Sequence, residues 1–164
     1  MYDNFLQKIK TRREADELSE EANLLIRGLY EQEGKAYESY LNTKVRSWVS
    51  RQVKEVFSEE GVDKKGFLEG LLNNLNNLKP VRLVIAFEPT ENQLERFTSF
   101  IKSAGGQNLI VDLTYDPYVV GGAVIIHEGK YRDFSFKKIF EHQFENEREN
   151  LLKLLEKSKV SEEN

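Results

Sequence analysis

The period of the apolar residues changes once along this chain, at Pro80, and that change constrains the fold more than any other feature. Before Pro80 apolar residues return every three or four positions, the spacing of one helical face; after it they come in short β-branched runs. Thr11-x-x-Glu14 matches a capping box, in which hydroxyl and carboxylate satisfy backbone N–H groups that a helix start leaves free. Leu18, Ala22, Leu25, Ile26 and Leu29 follow on one face, and Gly34 is the expected break. A second stripe runs through Tyr37, Leu41, Val45, Trp48, Val49, Val53 and Val56, stopping before Ser58-Glu59-Glu60-Gly61. Asp63 is placed to cap a third helix with Phe67, Leu68, Leu71, Leu72, Leu75 and Leu78 on its apolar face. Pro80 closes it, because the residue before a proline is pushed out of the α region. These stripes either pack on each other as a bundle or leave part of a face for a partner's helix. Tyr37, Leu41 and Trp48 are the candidate partner-binding positions.

Past Pro80, Val81–Phe87 reads as a buried strand. Pro89-Thr90-x-x-Gln93 opens a helix with a second capping box, carrying Leu94, Phe97, Phe100 and Ile101 inward, and Gly105-Gly106 stops it. Leu109–Tyr115 is a second strand, Asp116-Pro117 a turn, and Ala123–His127 a third strand. Glu128-Gly129-Lys130 turns into a short fourth, Tyr131–Asp133, and Ser135 precedes a charged helix from about Phe136 to Lys157. The expected fold class is α+β: a helical bundle over residues 1–79, then a β-α-β-β-β-α domain over 80–164 ending in a helix.

Composition narrows the function. Hydrophobic residues are 39% and charged residues 32%, which suits helices that keep a narrow buried stripe. The 24 basic and 28 acidic residues are interleaved, without the clustered basic face of a nucleic-acid binder. There is no cysteine, hence no disulfide framework or thiolate chemistry. The N-terminal Met1-Tyr2-Asp3-Asn4-Phe5 lacks the pattern of a signal peptide, and no apolar run reaches the roughly 20 residues of a membrane span.

Chemistry-bearing patterns are few. His127 and His142 lack the spacing of paired metal ligands, and the carboxylate pairs lie in solvated runs, so no metal, cofactor or catalytic residue is assigned. Asp116, His127 and Asp133 are the positions a small enzyme would use. The most unusual segment is Asp116-Pro117-Tyr118-Val119-Val120-Gly121-Gly122. Adjacent glycines at a strand start suggest a tight crossing with another backbone, and a phosphate cradle would need a helix N-terminus behind them.

Asp116-Pro117-x-x-x-Gly121-Gly122, an apolar strand, a Gly129 turn, and Asp133-x-Ser135 leading into a helix resemble the C-terminal signature of the F-type ATP synthase delta subunit. Its mitochondrial counterpart is the oligomycin-sensitivity-conferring protein. The resemblance covers residues 81 to about 141, and the preceding helical part is shorter than the family's usual six-helix bundle. It implies a non-catalytic peripheral-stalk protein without cofactor, with Asp116, Pro117, Gly121, Gly122, Asp133 and Ser135 as structural motif residues. It also implies two partners: N-terminal segments of the alpha subunits for the bundle, and the C-terminal end of the b subunit for the α+β domain. Leu151, Leu152 and Leu155 are further candidate contacts. The location implied is the cytoplasmic face of the cell membrane, held there only through b. Two alternatives stand beside this one. The first is the E-type protein of an A/V-type ATPase peripheral stalk, which also has a Gly-Gly strand in a C-terminal α/β domain. The second is a free-standing interaction module on the same fold.

Overall fold

The computed structural model describes residues 2–31, 35–58, 61–145, 147–148 and 150. The expected break at Gly34, the Glu59-Glu60 pair and Leu151, Leu152 and Leu155 lie outside the described residues. The element order is α1 (Asp3–Leu6), α2 (Arg12–Tyr30), α3 (Lys35–Thr43), α4 (Ser47–Phe57), α5 (Lys64–Asn76), β1 (Lys79–Ile85), α6 (Glu91–Gly105), β2 (Leu109–Tyr115), β3 (Ala123–His127) and β4 (Lys130–Asp133). A seventh helix, α7, covers 136–145. This is the expected α+β architecture, helices first and then a small sheet domain closed by a helix.

The chain divides into two compact units. The first holds Met1–Val81 and Pro89–Asp112, the second Arg82–Glu88 and Leu113–Asn164.

In the first unit α2 opens at the capping box: the Glu14 N–H donates to Thr11 Oγ1 at 3.3 Å, and the Thr11 N–H to Glu14 Oε2 at 3.1 Å. Its buried face, Ala15, Leu18, Ala22, Leu25 and Gly28, packs on α3 and α5. Gly28 permits the closest approach, since an added Cβ would sit 2.9 Å from the Tyr37 Cα. Phe5, Val49, Val53, Phe67, Leu68 and Leu71 complete the same core, joined by Ile110 from β2. Thr11 also makes an isolated parallel bridge to Val111.

Three sequence expectations change here. Phe100, expected on the inner face of α6, is 66% exposed, and the buried residues of that helix are Thr98 and Ile101. The stripe from Tyr37 to Val56 is two helices, because the chain leaves the helical conformation at Arg46 (φ −58°, ψ 141°). There the Arg46 N–H donates to Glu21 Oε1 at 2.7 Å, and the guanidinium binds both oxygens of the same carboxylate. A backbone donor given to Glu21 is lost to the helix ladder. Asp63 does stand at the start of α5, but its side chain makes no capping hydrogen bond.

The four strands form one mixed sheet in the order β2-β1-β3-β4. β1 and β3 are antiparallel, with Val84 opposite Val124 and Arg82 opposite Ile126. β3 and β4 are antiparallel, with Val124 opposite Asp133 and Ile126 opposite Tyr131. Side chains alternate across a sheet, so Val84, Val124, Ile126, Tyr131 and Asp133 share one face. The β3–β4 link is the two-residue turn Glu128-Gly129, with φ of 48° and 75°, as a tight hairpin requires.

Candidate partner-binding surface

The Asp-Pro turn starts where β2 ends. The Asp116 N–H donates to the Ile85 carbonyl at 3.0 Å, which ties the turn to the end of β1. Asp116 Oδ1 accepts the Tyr118 N–H at 2.9 Å, and its carbonyl accepts the Val119 N–H at 3.1 Å. This is an Asx turn, a task for which a short carboxylate is well suited. Gly121 and Gly122 follow with φ of 64° and 69°, a region that penalises any Cβ.

Space makes the same demand. A Cβ on Gly122 would collide with the Phe134 carbonyl oxygen and stand 3.0 Å from the Ser135 Cα; one on Gly121 would enter the Phe136 ring. Residues 120–123 run against 134–136 through two backbone bonds, Phe136 N–H to Val120 O at 3.1 Å and Phe134 N–H to Ala123 O at 2.9 Å. The double glycine is thus a backbone crossing.

Asp133 and Ser135 then start α7. Asp133 Oδ1 accepts the Ser135 N–H at 2.8 Å, and Ser135 Oγ accepts the Lys138 N–H at 3.3 Å, the hydroxyl cap of a helix N-terminus. Bonds from Ser135 hold the Asp133 carboxyl below the usual carboxylate range, while burial and the nearby Asp133 charge raise the Tyr131 phenol. A carboxylate ionised throughout neutral pH is a poor proton donor and a weak base.

Asp116, Gly121, Gly122, Asp133 and Ser135 therefore lie in one connected structure built from two turns and a crossing. Asp116, Asp133 and Ser135 also wall a half-open cavity of about 270 Å³, whose apolar lining includes Val84, Val124 and Ile126. Tyr118 and Tyr131 edge it, 88% and 62% exposed. Beside it every residue of 136–145 is exposed, including Phe136, Phe140 and Phe144. Tyr118, Tyr131 and the three phenylalanines were missed by sequence reasoning; the i, i+4, i+8 spacing of the phenylalanines was the signal available.

The candidates in the first unit have mixed positions. Tyr37 and Leu41 are buried in the core, and the Tyr37 hydroxyl finds no partner among the described residues. Trp48 is partly exposed, in ring contact with Phe5, with Lys8 and Arg46 over its face at 5.7 and 5.2 Å. It does not border the groove of about 400 Å³ lined by Glu17, Glu20, Glu21, Leu24, Arg27, Lys44 and Arg46. Among the described residues no cluster of His, Asp and Glu is arranged to hold a metal ion.

Residues 66–142 match the family described as ATP synthase delta (OSCP) subunit. The match runs from within α5 to within the last helix, and takes in the Asp-Pro turn, the glycine crossing and the α7 cap. No curated protein matches the chain at a significant level.

Proposed function

We propose that the chain joins the catalytic head of a rotary F-type ATP synthase to its membrane-anchored b stalk, because residues 66–142 match the ATP synthase delta (OSCP) subunit family. In this reading it is a non-catalytic peripheral-stalk protein, as the family's members are. A rotary synthase needs such a stator, because the head would otherwise turn with the shaft that drives it.

In this reading the helices before residue 80 bind N-terminal segments of the alpha subunits, and the α+β part with its final helix binds the C-terminal end of b. In the first part Trp48 is the sequence candidate with exposed surface. Leu151, Leu152 and Leu155 remain candidates in the second. Nucleotide, magnesium and bond chemistry belong to other subunits. Association with the complex is what the family implies. Among the described residues no helix is long and apolar enough to cross a membrane. In this reading attachment is through b, at the cytoplasmic face.

The observation that carries this reading is the family match from 66 to 142. A pull-down with the tagged full chain from native membranes, washed at moderate salt, tests it by mass spectrometry. The expected result is co-recovery of alpha, beta and b. Recovery of A/V-type stalk partners moves the chain to the E-type reading. Recovery of the bait alone, with intact synthase in the flow-through, overturns the stator role.

A further inference from the structure

The final helix has a feature its capping role does not explain. All ten residues of 136–145 are exposed, yet Phe136, Phe140 and Phe144 repeat at four-residue intervals on one face. The rings of Phe140 and Phe144 are 6.4 Å apart, close enough to form a continuous ridge. A bare helix of this length is marginal in water, and aromatic side chains aligned on one exposed face are the kind of surface a partner covers.

A row of side chains at i, i+4, i+8 packs into the groove between rows of a second helix.

The ridge starts beside the 270 Å³ cavity, which has an apolar floor and room for one large side chain. The charged groups in its wall are the Asp116 and Asp133 carboxylates and the Lys137 ammonium, itself 4.0 Å from Glu141. The wall thus carries an excess of negative charge, and a cation there would be favoured.

We propose that the cavity and the Phe136–Phe144 ridge together seat one amphipathic helix of a partner chain, with an apolar side chain in the cavity and a Lys or Arg beside Asp116 and Asp133. This rests on the stator reading and adds to it the place and chemistry of one contact.

The test uses four variants of the full chain at exposed positions, so that folding is preserved, as circular dichroism would verify: Tyr118→Lys, Tyr118→Glu, Phe140→Lys and, in the other unit, Phe100→Lys. Rebinding is measured on native membranes that carry the synthase but are depleted of this chain. Tyr118→Lys and Phe140→Lys are expected to weaken rebinding at least tenfold, Tyr118→Glu less than threefold, and Phe100→Lys not at all. A photo-crosslinker at 118 or 140 is expected to label one partner segment with apolar residues three or four apart and a Lys or Arg within a turn. If wild type rebinds and the Tyr118 and Phe140 variants match it, the inference is wrong and the stator reading stands. An acidic labelled segment, a label on a second copy of this chain, or equal losses from Tyr118→Lys and Tyr118→Glu would each overturn it as well. Failure of wild type to rebind would remove the stator reading and the inference resting on it together.

Discussion

The two compact units place their large apolar side chains in opposite ways. In the first, Phe5, Leu18, Leu25 and Leu68 are fully enclosed, and among the described residues only Tyr30 and Phe100 are large hydrophobics left exposed. In the second, Tyr118, Tyr131, Phe134, Phe136, Phe140 and Phe144 all face solvent. The first spends its hydrophobic residues on its own stability; the second keeps many of them available. Truncation breaks or confirms this contrast most directly. Phe5 is 0% exposed and in ring contact with Trp48 and Phe67. Phe5→Ala should therefore destabilise the protein by about 3–5 kcal/mol in chemical denaturation. Phe140→Ala, at 52% exposure, should stay within about 0.5 kcal/mol. Similar losses at both sites would mean that the α7 ridge is packed in solution.

The second unit is closely packed where its backbone crosses itself, and one methyl group tests that. Gly122→Ala would push a Cβ into the Phe134 carbonyl and hold an alanine at φ 69°. Backbone cannot yield as a flexible side chain end can, so a loss of about 2–3 kcal/mol is expected, with weakened Phe134 and Phe136 amide protection in hydrogen exchange. Unchanged protection would show that residues 120–123 and 134–136 can separate at little cost.

The features legible in the sequence were those written in neighbouring residues. Thr11 with Glu14, and Thr90 with Gln93, form the capping boxes that their spacing predicts. β2 and β3 have the bounds that their β-branched runs suggested. The bend at Arg46 was not legible, because it depends on Glu21, 25 positions away on another helix. Nor does alternation along a strand say which strand lies beside it, so the order β2-β1-β3-β4 had to come from the structure. The cavity likewise draws on β1, the 116–120 turn, β3, β4 and the α7 start. Its carboxylates were singled out in the sequence as motif residues, but nothing local showed that they face one space. Periodicity also could not sort Tyr37 and Leu41, which are buried, from Trp48, which is partly open.

The Arg46 bend sharpens the comparison from the other side, since it is a polar device inside the well-packed unit. Glu21 is 12% exposed and Arg46 30%, so the pair is only partly screened by water. Glu21→Ala leaves both the Arg46 N–H and the guanidinium short of an acceptor, although Glu17 still offers one oxygen at 3.2 Å. A fully buried pair broken this way would cost about 3–5 kcal/mol, and partial exposure lowers the expectation to about 1–2. Denaturation of Glu21→Ala and Glu21→Gln separates the roles. Gln keeps an acceptor for the N–H, so it should recover part of the loss if the backbone bond sets the bend. Equal losses in the two variants would assign the effect to charge alone.

The smallest effect belongs to the α7 cap and is a matter of pH. The folded Asp133 carboxyl titrates below its ordinary range because the Ser135 N–H and hydroxyl favour the charged form. Over the window between the depressed folded value and the ordinary carboxylate value, the unfolded chain binds more protons than the folded one, so stability rises with pH. The contribution is complete above the ordinary carboxylate value and is lost as pH falls through the folded one. Because Asp133 is near the surface, the global change should be slight, and the local signal is the better measure. The Ser135 amide proton should shift with an inflection below that of an unperturbed aspartate, and Asp133→Asn, which keeps an acceptor but does not titrate, should flatten it. An inflection at the ordinary aspartate value would mean that the Asp133–Ser135 bonds are not formed in solution. The start of α7 would then be as loosely held as its ridge is exposed, and the second unit would lack the fixed platform that a partner helix needs.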